Sequence, residues 1–98
     1  MIEQFSVCTY SSSIVVILTN TVFNDVESIL VAPIKPQTDG NLIKYLHIEC
    51  EIDQQHMYVD LLDIATVSKR GLTQLYDHNL LNKRQEIKSG IDLLIDGF

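Results

Sequence analysis

The sequence predicts a mainly β domain: a small, strongly twisted antiparallel sheet or barrel carrying one C-terminal helix. Three observations point there. Apolar residues alternate with a period of two across the first three-quarters of the chain. Short polar turns separate these runs at hairpin spacing. After Asn79 the apolar period changes to that of a helix.

The elements follow in order. "QFSVCTY" places Phe5, Val7 and Thr9 on one face and Ser6, Cys8 and Tyr10 on the other. Ser11 to Ser13 form a turn, and "IVVILT" is a β-branched run suited to a buried strand. "NTVFNDVES" is turn-like and carries an apolar pair, Val22-Phe23, on a loop. "ILVAPI" is a third strand, closed by Pro33 and then Pro36. "KPQTDGN" is the clearest loop, because Pro, Asp-Gly and Asn all favour turns. "LHIECEI" and "HMYVDLL" alternate cleanly and are joined by "DQQ" as a hairpin. "IATVS" and "LTQL" are short strands flanking the basic turn Lys69-Arg70-Gly71. In the last segment Leu80, Leu81, Ile87, Ile91, Leu94 and Ile95 share one helical stripe, of which Leu80, Ile87, Ile91 and Leu94 are expected to face the core. Asn79 is placed to cap the helix, and Gly97 to end it in a left-handed conformation.

Length and composition narrow the function. Residues 1–98 make one domain, with 46% hydrophobic residues and only two Pro and four Gly. Thirteen Asp and Glu against seven Lys and Arg leave a net charge of -6, so a nucleic-acid partner is disfavoured. Two distant cysteines do not make a disulfide framework and suit a reducing compartment. Glu3 in a start without a basic region does not resemble a signal peptide. "IVVIL" is far below the ~20 residues of a membrane span. The expectation is a cytoplasmic globular domain.

No catalytic or cofactor pattern stands out. His47, Cys50 and His56 are zinc-type ligands, but the odd spacing of His47 and Cys50 sends them to opposite faces of a strand. Glu49, Glu51, Asp53, Asp60 and Asp63 could supply a carboxylate pair, yet so many acids in a short stretch describe a solvated face. Cys8 and Cys50 lie in apolar strands without a basic neighbour to activate them. Gly-rich phosphate loops and nucleophile elbows are absent from the sequence. The residues therefore describe a binding module with no metal, no cofactor and no catalysis, whose apolar tail and loop meet a partner or a second copy.

The chain resembles the CcdB family of toxins over essentially its whole length. "QFSVCTY" is similar to the family's opening strand, "LVAPI" to its V-I-P-L strand and "LHIE" to its V-H-I segment. "LLDIATVS" resembles the T-D-M-A-S-V-P run, and "NKRQEIKSGIDLLIDGF" the terminal helix, which often closes on Trp-Gly-Ile. The resemblance implies an SH3-like antiparallel β-barrel of CcdB/MazF type with a C-terminal helix, assembled as a homodimer. It also implies a toxin of a toxin–antitoxin module, of the kind that serves plasmid maintenance. Such a toxin binds the DNA gyrase A subunit, traps the cleaved-DNA complex and is neutralised by a CcdA-like antitoxin. Carried onto this chain, the gyrase-binding positions are Val22, Phe23, Asp92, Ile95, Asp96, Gly97 and Phe98. The antitoxin-binding positions are Tyr10, Ser11, Ser12, Ser13, Asp39, Gly40 and Asn41.

The sequence departs from the family at telling places. Asp96 stands where well-known members carry tryptophan, which removes a large flat anchor and adds a charge. Ser68 replaces a family proline, and the hairpin "ECEIDQQHMY" is longer than usual. Two alternatives stay open: a homologue that keeps the fold with weak or no gyrase toxicity, and a MazF-like endoribonuclease toxin. The net charge of -6 disfavours the second.

Overall fold

The computed structural model describes residues 3–20, 27–37 and 40–97. Seven strands are formed: β1 (Ser6–Tyr10), β2 (Ser13–Ile17), β3 (Ser28–Pro36), β4 (His47–Ile52), β5 (Gln55–Asp60), β6 (Ala65–Ser68) and β7 (Leu72–Asn79). One helix, α1 (Arg84–Asp96), follows. The sheet order is β4-β5-β3-β2-β1-β7, with β6 paired to β3 off this path, and every ladder is antiparallel. No helix among the described residues is long and apolar enough to cross a membrane.

The predicted class holds, but the sheet is open where a barrel was expected. Its end strands, β4 and β7, share no ladder among the described residues. β7 itself is irregular. Between Ser6 and Cys8 the β1–β7 register shifts, so that five steps from Gln74 to Asn79 lie opposite two on β1. Such extra residues bend a strand and raise its twist. The bend brings His78 Nε2 to 3.0 Å from Asp53 Oδ1 in the β4–β5 turn, a side-chain contact across the gap.

Two hairpins have central residues in the left-handed region: Ser11 and Ser12 (φ 48° and 73°), and Asp53 and Gln54 (φ 51° and 67°). Paired positive φ values match the right-handed twist of the flanking strands, which is why two-residue hairpins adopt them. Gln55 accordingly belongs to β5, not to the expected three-residue connection.

β3 runs through Pro33, expected to close it, and ends at Pro36, the second proline named for that role. On its outer edge the β6 ladder ends at Val31 and the β5 ladder begins at Ile34. Pro33 therefore lies at the handover, where its missing N–H breaks no ladder bond.

That divided edge gives the molecule two cores. Phe5, Val7, Val16, Ala32, Ile34 and Val59 lie in the larger one, with Leu61, Leu80 and Ile87 over them. Cys8, Val15, Ile17, Ile29 and Val31 fill a smaller one on the opposite face, under Tyr10, Val67 and Leu72. The alternation assigned to β1 is correct in register, yet both of its faces are covered.

Asn79 does not cap α1: it accepts the Leu81 N–H at 3.0 Å, while Leu80 stands before the 3₁₀ turn Leu81–Lys83 and Lys83 before α1, neither with a side-chain cap bond. Gly97 ends the helix as expected, at φ 86° with its N–H on Leu93 O at 2.8 Å. Of the residues expected in the core, Leu80 and Ile87 are buried, whereas Leu94 is 41% exposed; Leu81 and Ile95, on the same stripe, are 57% and 73% exposed. The helix crosses the sheet at Ile87 and Gly90, and its last turn runs beyond the core.

Gly90 sets that crossing. A Cβ there would collide with the Leu61 side chain and the Tyr45 carbonyl. Gly90→Ala should therefore lower stability by about 1–3 kcal/mol in urea unfolding, despite alanine's better helix propensity.

Candidate functional site

The last turn of α1 brings several of the sequence-assigned residues together. Asp92 and Asp96, four residues apart, share one side of the helix, with Ile95 beside them and Leu94 on the core-side stripe. All four are exposed to a large degree. The last turn carries no basic residue. Carboxylates near a helix C-terminus face the negative end of the macrodipole, so this placement works against helix stability. Gly97 then turns the chain away from the helix axis. Val22, Phe23 and Phe98, assigned to the same surface, lie outside the described residues.

The positions assigned to antitoxin binding come from separate parts of the chain. Ser11, Ser12 and Ser13 are exposed at the β1–β2 turn. Ser12 and Ser13 border a hollow of about 400 Å³ with Pro36, Met57 and Asp63. Tyr10 is half-buried: it packs on the smaller core and its ring closes over Gly71. Gly40 and Asn41 are exposed, and no described contact joins them to the serines. Asp39 lies outside the described residues.

Sequence reasoning missed the main polar centre. Asp60 is buried, and its Oδ2 is 2.7 Å from Lys35 Nζ. Its Oδ1 accepts the Leu62 N–H at 3.0 Å and lies 3.2 Å from His47 Nε2. His47 Nδ1 accepts the Ile43 N–H at 2.8 Å, so the ring hydrogen on Nε2 faces Asp60. Lys35 also reaches Asp63 at 3.3 Å, and Tyr58 meets the His47 ring edge-on, with centroids 5.0 Å apart. Burial alone would raise the Asp60 carboxyl. The Lys35 and Leu62 hydrogen bonds, with the charges of Lys35 and His47, outweigh it and hold the group below its ordinary value. The bond to Asp60 in turn raises Lys35, against partial burial. Every partner in this cluster is satisfied by another, which makes it a clamp joining β3, β4 and β5. The available signal was Lys35 inside an otherwise apolar strand.

The remaining candidates are dispersed. Cys50 faces the larger core, His47 belongs to the clamp and His56 is exposed. Among the described residues no three His, Cys, Asp or Glu side chains converge as metal ligands would. Burial pushes the Cys50 thiol up to about 11, with Lys83 opposing it slightly, and raises Cys8.

Two measurements follow from these groups. Asp60→Ala should cost about 2 kcal/mol at pH 7 by urea unfolding, because the Leu62 N–H and His47 lose their acceptor. The folded Asp60 value lies below the unfolded one, so its stabilisation is present above about pH 4 and lost as pH falls through the folded value. The gap between wild type and variant should therefore shrink in acid. Both cysteines should resist iodoacetamide at pH 8 in the native protein and react once it is unfolded in urea.

No family model matches this chain, and no curated protein does. Among solved structures it is similar to a crystal structure of an Mtb toxin, with 18% identity over 87% of this chain and 94% of that one, at a TM-score of 0.72. At that identity the likeness establishes a shared fold.

Proposed function

We propose that this chain is the toxin of a toxin–antitoxin pair. In this reading it acts as a homodimer, binds the DNA gyrase A subunit, traps the cleaved-DNA complex and is neutralised by a CcdA-like antitoxin. It works by protein contact without catalysis of its own. The whole-chain resemblance to the CcdB family supports this reading, as does the toxin-like fold. The observation that carries it is the overhanging turn of α1. Ile95 is 73% exposed there beside Asp92 and Asp96, on a helix end whose charges oppose its own dipole. Locally unfavourable residues kept at an exposed apolar tip mark a surface made for contact. Asp96 then replaces an apolar anchor with a charged one, suited to a basic residue on the target.

Expression in a gyrase-bearing bacterium should arrest growth, and the purified protein should make gyrase accumulate linear DNA. Ile95→Asp should cut killing at least about tenfold, the loss of one apolar anchor, with unfolding unchanged. Asp96→Asn should raise the melting temperature while weakening killing. RNA cleaved in the presence of chelator, with gyrase untouched, would instead make the chain a ribonuclease toxin.

A further inference from the structure

We propose that the outer edge of β4 accepts an extended basic segment of a partner protein as an added antiparallel strand. β4 ends the sheet and pairs with β5 alone. The Leu61 N–H bonds to Leu46 O, so Ile48, Cys50 and Ile52 turn their main-chain groups to β5. Those of Glu49 and Glu51 point outwards, to where no strand lies among the described residues. The edge is bounded at both ends: the His47 N–H is already held by Ile43 O at 2.9 Å, and His78 Nε2 reaches Asp53 Oδ1 at 3.0 Å beyond Ile52.

A groove runs along this edge. It consists of two adjoining hollows, of about 430 and 610 Å³, both lined by Glu49 and Lys83. The first is the slot left by the open sheet, between Glu51 and the stretch from Asn79 to Asn82. The second lies between α1 and the loop before β4, with Leu42, Tyr45 and Ile48 on its walls. Tyr45, on a backbone with φ 72°, lines the second hollow and is 60% exposed.

Charge selects the occupant. Neither Glu49 nor Glu51 has an ion-pair partner among the described residues, Glu49 accepting only a long 3.4 Å bond from Gln37 Nε2, whereas Lys83 is engaged by Glu86 at 3.7 Å and Lys44 lies over the Tyr45 ring. Pairing with a second copy about Cys50 would set Glu49 against the second copy's Glu51, a like-charge contact that opposes self-association. An antiparallel partner strand with basic residues two apart puts both opposite the glutamates on the same face. An apolar residue three positions further along then reaches Tyr45 and Leu42. Main-chain bonds to a free edge supply affinity in this mode, and the side chains supply selectivity. The site is independent of the α1 tip, so the gyrase reading and this one stand or fall separately.

The test uses a fluorescein-labelled hexapeptide, lysine-valine-lysine-valine-threonine-phenylalanine, titrated with the purified protein by fluorescence anisotropy. Saturable submillimolar binding is expected. Binding should vanish when both lysine amides are N-methylated, and weaken about tenfold or more with Glu49→Lys/Glu51→Lys, whose fold circular dichroism checks. Equal binding of the N-methylated peptide would overturn strand addition, because that peptide keeps its charge and loses its donors. So would the absence of binding. A wild-type dimer that the double variant turns into monomers would assign the edge to a second copy and overturn the proposal as well.

Discussion

The structure depends on how β3 divides its two edges. One edge takes β2 along the strand's middle, while the other serves β6 first and β5 afterwards. A strand with this arrangement has covered faces on both sides, and two cores follow from it. Pro33 sits where a proline does least harm, at the handover between partners. The neighbouring strands need twist and not flatness to reach both faces, and the left-handed hairpins and the β7 bend supply it.

The clamp around Asp60 carries this arrangement out to the surface. Lys35 fixes it to β3, His47 to β4, and the Leu62 N–H to the turn that places Leu61 beneath α1. His47 also holds the loop before β4 through the Ile43 N–H. That loop supplies the Tyr45 carbonyl against which Gly90 rests. The height of the helix over the sheet is thus set by polar bonds within the β3–β4–β5 layer. Once Gly90 is seated, the turn beyond it has no sheet to lie on, and Leu94 and Ile95 stay in the open.

Much of the fold was legible in the sequence. Period-two alternation located most strands, and the Gly97 stop was placed correctly, because backbone geometry alone dictates both. Pro33 was misread as a terminator because its effect depends on which edge of the strand is paired, a tertiary fact. Leu94 was misjudged because periodicity gives the direction of a side chain but not where the opposing layer ends. Apart from Lys35 in an otherwise apolar strand, the clamp left no mark in the sequence, for a similar reason. Lys35, His47, Asp60 and Asp63 come from separate segments, and their one-letter pattern is that of an ordinary solvated strand face. At the helix tip the sequence named Asp92, Ile95, Asp96 and Gly97 through a resemblance. Physics adds that these charges sit badly with the helix that bears them.

The ladder between β1 and β7 joins Ser6 to Asn79, so the earliest strand waits for one of the latest. Contacts of such long sequence separation slow folding, since the chain must be brought together before they reward it. A growing chain cannot complete its sheet while β7 is still unmade. Until then β1 presents an unpaired edge and both cores lack part of their cover. The β1 edge and both cores therefore receive their full cover only after β7 has been made.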